Sequence, residues 1–212
     1  MIHFTPLIAG LTLVTSLVGQ VEVTGRWAPQ TRQNLLDQIA GNELATGIYS
    51  RVFDQLENEG VPPDFLERSF DHPDIVIDDE IIRRFERPAE KMPYNRYRKI
   101  FVKNPRIIGG VTFYRVNKAL LDSVSSQFGV DPFLLVSIAG VESQYGLRAK
   151  THPVFVALHT VIHKLPRREQ WVEKEMAAFL SYCYENNIPP LSLDGSYAGA
   201  FGYGQFIPSS FR

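Results

Sequence analysis

Asp131-Pro132-Phe133-Leu134-Leu135-Val136-Ser137-Ile138-Ala139-Gly140-Val141-Glu142-Ser143-Gln144-Tyr145-Gly146 decides what kind of fold this chain can have. An aspartate followed by proline is a helix start: the carboxylate can accept from a first-turn N–H, and proline's fixed φ suits the first helical position. The residues that follow are apolar on nearly every side, and a helix of that kind is expected to be buried. Glu142 closes it. A carboxylate among apolar neighbours must find a partner or keep its proton, because burying an unpaired charge costs several kcal/mol. A glutamate whose pKa is raised in this way can serve as a general acid near neutral pH. The residues alone leave another outcome open, in which Glu142 points to solvent or pairs with an arginine at the helix end.

Working outward, the chain is patterned mainly for helices. Upstream, a Gly109-Gly110 break is expected to precede a helix in which Phe113, Val116, Leu120, Val124 and Phe128 line one face, closing at Gly129. From Thr31 to about Glu59 the positions Leu35, Leu36, Ile39, Leu44, Ile48, Val52, Phe53 and Leu56 predict one or two amphipathic helices ending at Gly60, before Val61-Pro62-Pro63. Asp71 to Glu80 carries five acidic residues around Ile75-Val76-Ile77, as an exposed strand or loop would. Arg83 to Arg106 holds nine Lys or Arg against two Glu, the pattern of a solvated face or of a site for an anionic polymer.

Downstream, Arg167-Arg168-Glu169 opens a helix whose Trp171 or Val172, Met176, Phe179, Leu180 and Cys183 share a face, which makes Cys183 a core side chain rather than a nucleophile. Four glycines then stand among small and aromatic residues from Asp194 to Phe206, so a backbone can lie close to a ligand with rings beside it. A tight helix connection would use the same composition. The Walker ending is absent, as are the Gly-x-Ser-x-Gly elbow and the His-Glu-x-x-His pattern. His159 and His163, with His152 upstream, have no obvious acidic third ligand, and neither a metal nor another cofactor is expected.

The 212 residues are 44% hydrophobic and 21% charged with a formal net charge of -1, which excludes a disordered tail or a fibre and gives no global attraction to nucleic acid. One cysteine excludes an internal disulfide framework. Leu7 to Val18 is an apolar run of the length expected for a secretory signal core, too short for an ordinary spanning helix. Residues 1–20 therefore read as a signal peptide or N-terminal anchor, with a buried first helix as the other reading, and the protein as periplasmic or otherwise exported; any membrane association would rest on that segment.

Together, Ile138-Ala139-Gly140-Val141-Glu142-Ser143-Gln144-Tyr145-Gly146, the pair Arg167-Arg168 and the run Gly195 to Ser210 closely resemble the lytic murein transglycosylase B family. The likeness extends over Arg87-Pro88-Ala89-Glu90-Lys91 and Tyr97-Arg98, from about Val61 to the last residue. It implies a mainly α, lysozyme-like catalytic domain that cleaves the β-1,4 bond between N-acetylmuramic acid and N-acetylglucosamine in peptidoglycan, leaving a 1,6-anhydro sugar. By its place in the motif, Glu142 corresponds to the family's catalytic glutamate, acting first as acid and then as base. The resemblance further implies that Ser196 and Gln205 hydrogen-bond the sugars, and that Tyr197, Tyr203 and Phe206 shape the cleft. Arg167 and Arg168 would face a peptide or lactyl carboxylate, and Tyr97 would lie near the glutamate.

The expected organisation is a helical segment over 21–60 and a catalytic domain over 61–212. Pro208-Ser209-Ser210-Phe211-Arg212 looks like the opening turn of a helix, and family members continue further, so the domain reads as C-terminally incomplete. The expected partner is the peptidoglycan glycan strand, with no nucleic acid, and the chain is expected to act as a monomer. A catalytically impaired peptidoglycan-binding module is the alternative.

Overall fold

In the computed structural model the described residues are 26–86, 93–147 and 152–211; the apolar run 7–18 and the 87–91 motif lie outside them. Helix α1, Pro29–Ile39, buries Leu35, Leu36 and Ile39, and α2, Glu43–Asn58, buries Ala45, Ile48, Tyr49, Val52, Phe53 and Leu56, the three-to-four spacing of one helix face. Asn42 caps α2, its side chain accepting from the Ala45 N–H at 2.8 Å. Gly60 ends the turn at φ +76°, as expected, and α3, Pro63–Phe70, starts on the proline. The acidic stretch forms a loop over 71–78 that leads into α4, Asp79–Glu86. Asp78 ties that loop down: its N–H donates to Thr160 Oγ1 at 3.0 Å, and its carboxylate meets His152 Nδ1 at 2.9 Å.

Helix α5, Tyr94–Phe101, lies in the basic stretch, followed by α6, Asn104–Val116, α7, Lys118–Phe128, and α8, Pro132–Glu142. Strand β1, His152–Pro153, precedes α9, Val154–Lys164; α10 is Glu169–Glu185, entered through a 3₁₀ turn at Pro166–Arg168. Strand β2, Asp194–Gly195, pairs antiparallel with β1, setting His152 opposite Gly195.

The main core lies where α10 packs on α2 and α9, with Phe53, Phe155, Met176 and Phe179 fully buried among it. Each such side chain stabilises the fold by roughly 2 to 3 kcal/mol through burial. Cys183 belongs to this core, and burial pushes its thiol up to about 12. His159 is buried too, with Nδ1 2.6 Å from the Tyr49 hydroxyl; burial first and His163 second lower it to about 3. The His163 nitrogens lie 2.8 Å from the His159 carbonyl oxygen and 3.0 Å from that of Ile39, which engages both rings within the core.

Helices α6, α7 and α8 pack on one another and stand outside that core cluster. Two expectations fail here. Helix α8 is not buried on every side: Val136, Ala139 and Gly140 face inward, whereas Phe133 is 61% and Leu134 54% exposed. Gly109-Gly110 is not a break either; α6 runs through both glycines, and the break comes at Asn117. Val116, Leu120 and Phe128 are consequently exposed, and Leu121 is the residue α7 buries. Gly129 does close α7, at φ +67°. No single described helix is long and apolar enough to cross a membrane; α7 and α8 reach that composition only as a pair bent by 115°.

Candidate active site

Glu142 is the last residue of α8, and the chain behind it is tightly turned. Asp131 starts the helix as expected, its carboxylate accepting from the Phe133 N–H at 2.7 Å. At the other end, the Ser143 and Tyr145 N–H groups both donate to the Ala139 carbonyl oxygen, at 3.1 and 3.0 Å. The buried Ser143 hydroxyl donates to that same oxygen at 3.0 Å and accepts from the Gly146 N–H at 3.0 Å. Gln144, Tyr145 and Gly146 all have positive φ (50°, 62° and 80°), so the chain reverses over three residues. Glu142 itself is exposed, so of the two outcomes the residues left open the structure shows the one at the solvent-facing helix end and not a carboxylate enclosed by apolar side chains. The cause is the open outer face of α8.

Tyr145 explains the glycines. Its ring lies against Gly109 and Gly110 of α6 and Gly140 of α8, and its hydroxyl donates to the Arg106 carbonyl oxygen at 2.8 Å. A Cβ at Gly110 would stand 2.7 Å from that hydroxyl and one at Gly140 only 2.5 Å, so a side chain at either position must displace the ring. Burial raises the phenol above its ordinary value, with the Arg106 charge opposing.

The glycine-rich tail reaches this turn through Tyr203. A Cβ at Gly146 would meet the Tyr203 ring at 2.7 Å, and Tyr203 also contacts Phe113 of α6 with ring centroids 5.6 Å apart. The tail is folded by bridges between Gly195 and Phe201 and between Phe201 and Phe206. Ser196 helps to shape it, its hydroxyl oxygen accepting from the Ala198 and Ala200 N–H groups at 3.3 and 3.1 Å. Gln205, at φ +49°, turns its side-chain amide back onto the Gly202 carbonyl oxygen at 3.0 Å. Phe206 stays exposed at the edge.

At the other end of the tail, Tyr197 packs edge-on against Phe85, with centroids 5.0 Å apart, and the Arg168 guanidinium lies 5.5 Å over the same ring. Phe85, Glu86, Leu165, Pro166, Arg167 and Arg168 line a cavity of about 450 Å³. Tyr97 is on α5, its ring tilted against that of Phe101 with centroids 4.7 Å apart, and Phe101 in turn carries the Arg106 guanidinium at 5.2 Å. The expected residues thus fall into two groups joined by the tail, one around Glu142 with Tyr203 and one around Arg167, Arg168 and Tyr197. Sequence reasoning missed Phe85, Phe113 and Tyr145. A hint existed in the paired glycines of α6 and in Gly140, which mark a close approach rather than a break. Among the described residues, no group of three or more His, Cys, Asp or Glu side chains could hold a metal ion.

Residues 46–212 match the family model described as the transglycosylase SLT domain. The chain belongs to that family. It is 37% identical over 117 residues to the membrane-bound lytic murein transglycosylase B of Escherichia coli strain K12, a stretch that covers 55% of this chain and 32% of that protein. The soluble lytic transglycosylase SltB1 from Pseudomonas aeruginosa superposes with a TM-score of 0.70 at 35% identity, over 78% of this chain and 56% of that one. The Escherichia coli lytic transglycosylase Slt35, in complex with bulgecin A, gives 0.68 at 29% identity, over 82% and 54%. The chain therefore spans about a third of the curated relative and just over half of the solved structures, and its lysozyme-like, mainly helical fold is theirs.

Proposed function

We propose that the protein is a lytic transglycosylase that cleaves the β-1,4 bond between N-acetylmuramic acid and N-acetylglucosamine in peptidoglycan, with Glu142 as its catalytic residue. The observation that carries this is the placement of Glu142: a solvent-accessible carboxyl on the last helical turn, backed by the turn that Ser143 clips and Tyr203 touches. Glu142 in its acid form protonates the glycosidic oxygen as the bond to C1 breaks. The substrate's acetamido group stabilises the positive charge left on C1. The resulting carboxylate then takes the proton of the muramyl C6 hydroxyl while that oxygen bonds to C1, closing the 1,6-anhydro ring and restoring the acid. No water is consumed, so one carboxyl does the work that two share in ordinary glycosidases. Ser196, Gln205, Tyr203 and Phe206 line the path of the sugars, and Tyr197, Arg167 and Arg168 continue it toward an acidic group, for which arginine's planar fork is well suited.

Mass spectrometry of purified sacculi digested with the protein is expected to give anhydro-muropeptides, lighter by one water than hydrolysis products. Glu142→Gln keeps the shape and removes the titrating proton, so product should fall by about a thousandfold or more. Reducing ends from the wild type would refute the mechanism. Unchanged sacculus binding without any product, in wild type and variant alike, would instead make the protein a glycan-binding module. The same reading places the protein outside the cytoplasmic membrane, where peptidoglycan lies, with residues 1–20 as export signal or anchor; cell fractionation tests this.

A further inference from the structure

Two open cavities adjoin at Arg68 of α3, whose side chain lines both. One, of about 410 Å³, is bordered by Asn34 and Gln38 of α1 and by Glu67 and Asp71 at the end of α3. The other, of about 340 Å³, extends from Phe65 to Tyr184, Asn187 and Pro189, where α10 ends. None of these residues belongs to the Glu142 turn, the glycine-rich tail or the cavity at Arg168. Arg168 directly precedes α10 and Tyr184 is its last residue but one, so at roughly 1.5 Å per residue they stand about 24 Å apart along the helix axis. The lining is mixed in a way that selects a ligand class. Phe65 meets the Tyr184 ring edge-on with centroids 5.4 Å apart, which fixes that ring in advance, and Tyr184 stays 38% exposed. Among the described residues, the side chains of Gln38, Glu67, Asp71 and Asn187 engage no hydrogen-bond or ion-pair partner, whereas Arg68 is tied to Asp64 at 2.6 Å.

An anion is disfavoured here, because Glu67 and Asp71 stand at the negative end of α3 and the cation between them is already paired. A wholly apolar ligand would strip water from carboxylates and amides without replacing it. A pyranose satisfies both halves: its C–H face lies on an aromatic ring, its hydroxyls donate to carboxylates, and an N-acetyl group exchanges hydrogen bonds with side-chain amides. We propose that this groove is a second binding site for an N-acetylated glycan strand, remote from the cleaving cleft and holding the protein on its polymer. The identity of that strand rests on the lytic transglycosylase reading. Tyr184 supplies the platform and Asn187 the amide beside it, while Gln38, Glu67 and Asp71 receive the next sugar across Arg68. Both volumes fall in the range of small-molecule sites. A short oligosaccharide fills this groove or the cleft, whereas a sacculus engages both, and the second contact raises the local concentration of strand at the first.

The binding probe is the β-1,4-linked tetramer of N-acetylglucosamine, titrated into the Glu142→Gln protein and followed by NMR. Amides of Arg68, Tyr184 and Asn187 are expected to shift, saturating independently of those of Gly146 and Gly202 in the cleft. Turnover is then measured for the wild type, Tyr184→Ala and Asn187→Gly. Glycine keeps the left-handed backbone of Asn187, at φ +53°, and removes only the amide, so this variant stays folded if Tyr184→Ala does not. On sacculi, KM should rise by about tenfold in Tyr184→Ala, and in the same direction in Asn187→Gly, with kcat retained. On a soluble muropeptide tetrasaccharide both constants should match the wild type. Equal losses on both substrates would mark a merely structural role and overturn the groove. So would tetramer shifts confined to Gly146 and Gly202, with anhydro products then showing the cleavage reading standing without it. Tetralysine moving the Tyr184 and Asn187 amides while the sugar does not would also overturn it, in favour of a cationic peptide. Sugar shifts at Tyr184 with no product from sacculi would instead support the groove and refute cleavage.

Discussion

Ser143 makes two hydrogen bonds with one buried hydroxyl, and both hold the backbone that follows Glu142. Ser143→Ala is expected to cost about 1 kcal/mol of stability in urea denaturation. Activity should fall further than that, because the loosened turn carries the proposed acid. Gly140→Ala places a carbon on the Tyr145 hydroxyl and is expected to cost about 1 to 3 kcal/mol, seen as a lowered Tm. At this scale the sequence was half legible. The glutamate stood out because its flanking motif is local. Tyr145 did not, because its partners Gly109 and Gly110 lie some 35 positions upstream, and adjacent glycines read locally as a break. Glu175 was equally hidden: it interrupts the apolar face of α10, yet its buried carboxylate accepts from the Ser209 N–H and hydroxyl, both at 2.8 Å. Only the folded chain brings that acceptor to that turn.

Among the helices, periodicity was legible wherever a face meets the main core. Helices α2 and α10 bury the residues their spacing selects, since α2 packs against α1, α9 and α10, and α10 against α2 and α9. Helix α8 was misjudged for the complementary reason. Apolar composition says that a helix could be buried, but the neighbours determine which side is, and here Val136, Ala139 and Gly140 are the residues they bury. The same logic explains why Phe113, Val116, Leu120 and Phe128 do not form a buried stripe once Asn117 divides α6 from α7. With so few buried side chains, α6 to α8 should open locally at lower free energy than α9 and α10. Hydrogen exchange is expected to report amides of Val136 to Gly140 exchanging well before those of Leu158 to Ile162. Uniform protection across both sets would contradict this.

For the molecule as a whole, acid sensitivity follows from His159. In the fold its value is near 3, against 6.5 ordinarily, so between those limits the unfolded chain binds a proton that the folded chain refuses. Stability from this group is therefore present above about pH 6.5 and lost as pH falls. Denaturation at pH 5 should give about 2 kcal/mol less than at pH 7 from this site, and replacing His159 by an uncharged residue should flatten that slope. Cys183 makes the matching statement about access: a thiol reagent should find nothing in the native protein and one equivalent after unfolding. Tyr203 spans the seam between the three-helix group and the rest. This ring, on the tail, presses on Gly146 behind Glu142 and on Phe113. The thickness of that ring works as a gauge block, setting how far the proposed proton donor stands from the strap proposed to cradle the sugar. Trimming it, as in Tyr203→Ala, should slow turnover while leaving the identity of the products as it was, because what changes is a clearance and not a reagent.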